Sequence, residues 1–150
     1  MRISIASDHT GVELKAEVAD ALRADGHTVD DLGTNTTAPV DYPDYAERLG
    51  LAVIEGRAER GVLICGSGVG ASVAANKIPG IRASVCHDSY SAHQGVEHDN
   101  MNMLVLGGRV IGPSMAEELV NAYIGAKFSN EARHARRVAK VQAIEKKYAC

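Results

Sequence analysis

Apolar residues along the chain fall into two rhythms. Short runs rich in β-branched and apolar side chains occur at Ile3 to Ala6, Thr28 to Leu32, Gly61 to Cys65, Ile81 to Cys86 and Met103 to Leu106. Their length and composition predict buried strands. Between them the apolar spacing changes to threes and fours, as in Val12, Leu14, Val18, Ala21 and Leu22 before Gly26, and Tyr45, Leu49, Ala52 and Val53 before Gly56. That spacing predicts helices stopped by glycine. Further helices are expected from Ala71 to Lys77, from Ser89 to about His98, and from Ser114 to Gly125, with Pro79-Gly80 and Gly112-Pro113 as breaks. Strands and helices alternating at this interval imply a parallel sheet covered by helices on both faces. No repeat, linker or low-complexity stretch divides residues 1–150, which read as a single domain.

The segment from Asn130 to Tyr148 differs, and is predicted as one charged helix carrying Arg133, His134, Arg136, Arg137, Lys140, Lys146 and Lys147. Taken alone, such a helix reads as a solvated surface element. Its apolar positions Val138, Val141, Ile144 and Tyr148 nevertheless form a stripe, which must dock on this domain or on a second subunit.

Composition narrows the functional classes. At 45% hydrophobic, 150 residues can supply a core without covalent staples. The 16 Lys and Arg against 19 Asp and Glu leave a formal charge of −3, so no global basic field exists to hold nucleic acid or an anionic membrane. An anionic ligand must be bound locally. Three cysteines at wide spacing, Cys65, Cys86 and Cys150, argue for free thiols in a reducing compartment. The opening Met-Arg-Ile-Ser-Ile-Ala lacks a long apolar run and no 18-residue apolar stretch follows, so a cytoplasmic protein is expected.

In sheets of this kind ligands bind beyond the carboxyl ends of the strands. The residues there are polar: Ser7-Asp8-His9-Thr10-Gly11 after the first strand, Cys65-Gly66-Ser67-Gly68-Val69-Gly70 after the third, and His87-Asp88 after the fourth. Glycines at 66, 68 and 70 let backbone N–H groups turn inward at a helix start and cradle an oxyanion or phosphate. The same loop matches a loose dinucleotide fingerprint, with Asp88 about 20 residues on. That fingerprint belongs in the first βα turn of a larger enzyme, whereas this one sits in the third unit of a short chain. A thiol phosphatase would need an arginine closing the loop, and position 71 is Ala. His93 and His98 are five apart and the cysteines are unpaired, so no metal site is expected.

A free cysteine at a strand end is usually a small buried hydrophobe, the reading that suits Cys86. Cys65 differs because it adjoins the glycine-rich helix start, where N–H dipoles favour a thiolate. Beside an anion nest, a thiolate can remove a proton from carbon next to a carbonyl while the nest holds the enediolate oxygen.

Asp8-His9, Asp41-Tyr42-Pro43, the Cys65 to Gly70 loop with Ala74-Ala75-Asn76-Lys77, His98 with Asn102, Gly107-x-Arg109 and Arg133-His134-x-x-Arg137 together resemble the type B ribose 5-phosphate isomerases. The related galactose and allose 6-phosphate isomerases share the pattern, and the resemblance covers nearly the whole chain. It implies a three-layer α/β/α sandwich with a five-stranded parallel, Rossmann-like sheet and a C-terminal helix used in an oligomer interface. It also implies an aldose–ketose isomerase that needs neither cofactor nor metal. Cys65 would be the base moving a proton between carbons one and two, with Ser67 relaying protons between the substrate oxygens. The amides of Gly66, Ser67, Gly68, Val69 and Gly70 would form the anion hole. His98, reaching in from a neighbouring subunit of a dimer or tetramer, would open the furanose ring, with Asp8 polarising the ring oxygen or a hydroxyl. Asp41 and Tyr42 would line the sugar site, and His9, Arg109, Arg133 and Arg137 would grip the phosphate.

Two positions depart from the family pattern. Position 99 is Asp where many relatives carry Asn, and a carboxylate near an enediolate or phosphate is unfavourable unless turned away. It leaves the role of Asp99 in the substrate site, and the substrate itself, open. A second branch of the family replaces the cysteine by a glutamate just after the glycine loop; Ala71 occupies that place, which puts this chain in the cysteine branch. Ribose 5-phosphate is the leading substrate, a tetrose 4-phosphate or a hexose 6-phosphate the rival. A non-catalytic phosphometabolite-binding module would have no need for Cys65, Ser67 and His98 together.

Overall fold

The computed structural model describes residues 1–149; Cys150 lies outside the described residues. The elements run β1 (Arg2–Ser7), a 3-10 turn (His9–Gly11), α1 (Val12–Ala24), β2 (Thr28–Asp31), α2 (Tyr42–Ile54) and β3 (Arg60–Cys65). They continue as α3 (Val69–Ala75), β4 (Ala83–Val85), α4 (Ser89–Asp99), β5 (Met103–Gly107), α5 (Pro113–Gly125) and α6 (Ala132–Tyr148). The five strands pair in parallel in the order β2-β1-β3-β5-β4.

Alternation along the strands divides the interior into two cores. Ile3, Ile5, Val62, Ile64, Leu104 and Leu106 face α1, α4 and α5, where Leu14, Val18, Leu22, Val96 and Leu119 meet them. Ala6, Leu63, Cys65, Met103 and Val105 point the other way, toward Ala46 and Leu49 of α2 and Ala71 and Ala75 of α3. The three central strands are therefore buried on both faces, with the small Ser4 and Ser7 of β1 as their only buried polar side chains, as a sheet covered on both sides requires.

The edge strands correct the expectation of buried runs at both ends of the sheet. β2, an edge strand paired only with β1, alternates exposed and half-buried residues, one face of it being open to solvent. β4 is shorter than the predicted Ile81 to Cys86. Side chains occupy its free backbone groups: Arg82 N, just before the ladder, donates to Asn102 Oδ1 at 2.8 Å, and along the open edge Ala83 N donates to Asn76 Oδ1 at 2.9 Å while Asn76 Nδ2 donates to Ala83 O at 2.8 Å. α6 docks only in part. Val138 and His134 are buried, but Val141, Ile144 and Tyr148 are 54%, 61% and 73% exposed. Beneath that half of the helix runs a cavity of about 630 Å³, lined by α6, α4 and the β4 edge.

Candidate active site

At the carboxyl edge of the sheet, β1 ends against β3 and turns sharply. Asp8 N donates to Ile64 O at 3.2 Å, and Asp8 Oδ1 accepts from the N–H and the hydroxyl of Thr10, which caps the 3-10 turn. The close approach needs Gly11, since a Cβ there would lie 2.9 Å from Ile64 O. His9 then projects beside α1, and its Nδ1 accepts the Val40 N–H at 3.1 Å. An acceptor at Nδ1 places the proton of a neutral ring on Nε2, so His9 presents a donor. It borders a cavity of about 390 Å³ shared with Thr10, Thr37 and Gly108.

Cys65, last residue of β3 and 5% exposed, is held by the loop that follows it. The Gly68 N–H donates to Cys65 Sγ at 3.2 Å. The bond requires the left-handed backbone of Gly68, at φ +87°, which lies against Leu106. Ser67 is exposed, with Oγ accepting the Val69 N–H at 3.2 Å. The β5 end backs this loop: Gly108 N donates to Cys65 O at 2.7 Å and Arg109 N to Gly66 O at 3.0 Å, and the Arg109 side chain passes beside Gly66. Tyr42, first residue of α2, lies across Gly70, where a Cβ would come within 2.6 Å of its ring. Asp41 precedes it as the residue before the helix. The fold thus gathers Asp8, His9, Asp41, Tyr42, Cys65, Gly66, Ser67, Gly68, Val69, Gly70 and Arg109 at one edge.

The remaining candidates lie at the opposite edge. α4 links two parallel strands, so it runs back along the sheet and ends near the strand starts. Asn102, just beyond it, accepts from Gly61 N at the start of β3. Cys65 lies about 13 Å farther along that strand at the usual rise per residue. His98 therefore lies toward the opposite edge of the sheet from Cys65 of its own chain. Its Nδ1 meets Gln94 Nε2 at 2.9 Å, and its ring stacks on His134 with centroids 4.0 Å apart. His134 in turn meets Ser129 Oγ at 2.6 Å. Burial pushes the His134 imidazole below its ordinary pKa, and the charges of His98 and Arg133 push the same way. Asp99, Arg133 and Arg137 are exposed around this pair, and Arg133 Nε contacts Glu131 at 3.2 Å.

Asp88, the carboxylate a dinucleotide reading would require, instead caps α4 by accepting the Ser91 N–H at 2.7 Å; that bond lowers its pKa. Two supporting residues have no role assigned from the sequence, although His87 stands out there at the end of the fourth strand. His87 Nε2 accepts the Gly107 N–H at 2.9 Å and fixes the end of β5. Gln94 sets the ring of His98, and its position four residues earlier on the same helix face was the available signal.

Comparison with known proteins agrees with this arrangement of strands and loops. Residues 3–141 match the model of the Ribose/Galactose Isomerase family. Ribose-5-phosphate isomerase B of Escherichia coli is 43% identical over 146 residues, covering 97% of each chain. D-erythrulose-4-phosphate isomerase of Pectobacterium atrosepticum is 41% identical over 130 residues, 85% of each. The structure of Clostridium thermocellum ribose-5-phosphate isomerase B superimposes with a TM-score of 0.97 at 48% identity, over 99% of this chain and 100% of that one. With a match that runs through every strand and every loop at the carboxyl edge, the chain belongs to the ribose/galactose isomerase family.

Proposed function

We propose that this single-domain protein interconverts ribose 5-phosphate and ribulose 5-phosphate through a cis-enediolate, using no cofactor. The observation that carries the reading is Cys65 at the mouth of the Gly66 to Gly70 loop, with the Gly68 N–H on its sulfur. The Cys65 thiolate takes the proton from carbon two of the open aldose, and the electron pair moves toward the carbonyl at carbon one. Loop N–H groups hold the developing oxyanion. Ser67 passes the hydroxyl proton from the oxygen on carbon two to that on carbon one, and the thiol returns its proton to carbon one. Carbon two is left as the ketone.

The cyclic sugar must first open. His98, with Gln94 donating to Nδ1, carries its proton on Nε2 and can deliver it to the ring oxygen, and Asp8 polarises the hydroxyl that becomes the carbonyl. Since His98 and Cys65 sit at opposite edges of one chain, a working site takes Cys65 from one copy and His98, Asp99, Arg133 and Arg137 from another. The exposed apolar half of α6 supports such a homo-oligomer. His9 and Arg109 from the first copy and Arg133 and Arg137 from the second surround the phosphate, with Asp41 and Tyr42 along the sugar. A thiolate base must stay reduced, which suits the cytoplasm. Among the described residues no helix is long and apolar enough to cross a membrane.

Turnover of ribose 5-phosphate, erythrose 4-phosphate and allose 6-phosphate, measured side by side, tests the substrate. The reading expects the largest kcat/KM for the pentose. A tetrose preference would favour the second reading, which the D-erythrulose-4-phosphate isomerase relative supports. Binding of all three without turnover would leave a phosphometabolite-binding module.

A further inference from the structure

Lys15 lies on the core face of α1 with its side chain 1% exposed, surrounded by Leu14, Val18 and Ala19 of the same stripe. An ammonium in that position is costly unless paired. Its Nζ donates to Asp31 Oδ1 and to Asn35 Oδ1, both at 2.6 Å. Asp31 Oδ1 also accepts the Gly33 N–H at 2.9 Å.

These bonds converge on the connection between β2 and α2, whose residues 35–39 are exposed. The backbone ties at its start are Ser7 N to Gly33 O at 2.7 Å and Thr34 N to Ser7 O at 2.8 Å. At its far end Val40 N donates to His9 Nδ1. Asn35 lies between them, fastened from below by Lys15. We infer that Lys15 is a positioning residue for anion binding: through Asn35 it holds the β2–α2 connection so that the Val40 N–H fixes the tautomer and direction of His9. The Nε2 proton of His9 then faces the ligand's phosphate group. Lys15 touches no ligand, and its effect reaches the site only through Asn35, Val40 and His9. The inference rests on the proposed role of His9 at the phosphate.

The test uses the full-length protein with inorganic phosphate as probe, its dissociation constant measured by calorimetry beside KM and kcat for the sugar phosphate. Asn35→Ala removes the exposed end of the clamp and leaves Lys15 paired with Asp31, so folding is preserved. It should weaken phosphate binding and raise KM about tenfold to a hundredfold, the usual worth of one hydrogen bond to a charged group, with kcat changed far less. Asn35→Asp, which restores an acceptor for Lys15, should recover most of the binding. In a His9→Ala background Asn35→Ala should add nothing, because the two act through one contact. Wild-type phosphate affinity in Asn35→Ala, alongside weakened binding in His9→Ala, would overturn the clamp and leave the His9 reading standing. Wild-type affinity in His9→Ala would overturn both, and additive losses in the double variant would overturn the clamp.

Discussion

Replacing Gly107 by Ala should disable the candidate base without substituting any residue that carries chemistry. A Cβ at Gly107 would lie 2.7 Å from Ser67 O, 2.9 Å from Ser67 C and 2.8 Å from Val110 Cγ2, where ordinary contact begins at 3.4 Å. A shift of about 0.7 Å is therefore demanded, and the obstacle is backbone rather than a flexible side-chain tip. β5 cannot retreat, since Gly107 N is tied to His87 and Gly108 N to Cys65 O. The Cys65 to Gly70 loop must move instead. Overpacking of this kind costs about 1–3 kcal/mol, which for a domain of this size lowers Tm by roughly 3–10 °C. Displacing the base and the anion hole by a large fraction of an ångström should lower kcat about a hundredfold, or about 2.7 kcal/mol in the barrier. The assay is ketose formation from ribose 5-phosphate, with Tm by calorimetry. Gly112→Ala serves as control, because its added methyl meets nothing within 4 Å. Wild-type kcat and Tm in Gly107→Ala, or an equal loss in Gly112→Ala, would refute the reasoning.

Cys65→Ala should lower turnover of every aldose phosphate by roughly a thousandfold or more, and a thiol reagent should inactivate the wild-type protein more slowly in the presence of phosphate. Arg137→Ala should raise KM about tenfold or more, with a much smaller change in kcat, as loss of a charge-assisted phosphate contact predicts; steady-state kinetics decide it. The depressed pKa of His134 means that the unfolded chain binds its proton more readily, so this contribution to stability is intact above about pH 6.5 and is lost as pH falls below it. Tm scanned from pH 7.5 to 5 should fall less steeply in His134→Gln than in wild type, and parallel curves would contradict that assignment.

The sequence exposed the central strands because Gly61 to Cys65 and Met103 to Leu106 are apolar on both faces, and Ile3 to Ala6 is interrupted only by the small Ser4. It misjudged the start of β4 because Ile81 is buried without strand pairing, and the Asn102 side chain takes the Arg82 N–H just before the ladder begins. The glycine loop was legible because local backbone chemistry demands glycine there, as the positive φ of Gly68 bears out. The separation of His98 from Cys65 was expected only from the family resemblance, because the residues alone do not say which edge of the sheet the end of α4 reaches. Lys15 was overlooked although its spacing from Val18, Ala19 and Leu22 places it on the apolar face of α1, a position where a lysine calls for a partner.

Subunit complementation tests most directly whether the active site is built from two copies with Cys65 as base. Cys65→Ala and His98→Asn, each nearly inactive on cyclic ribose 5-phosphate alone, would be unfolded together and refolded as a mixture. If each site takes Cys65 from one copy and His98 from another, random pairing makes about half of the dimers mixed, and each mixed dimer regains one intact site of its two. The mixture should recover about a quarter of wild-type activity. Activity no greater than the sum of the two variants refolded separately would contradict the composite site.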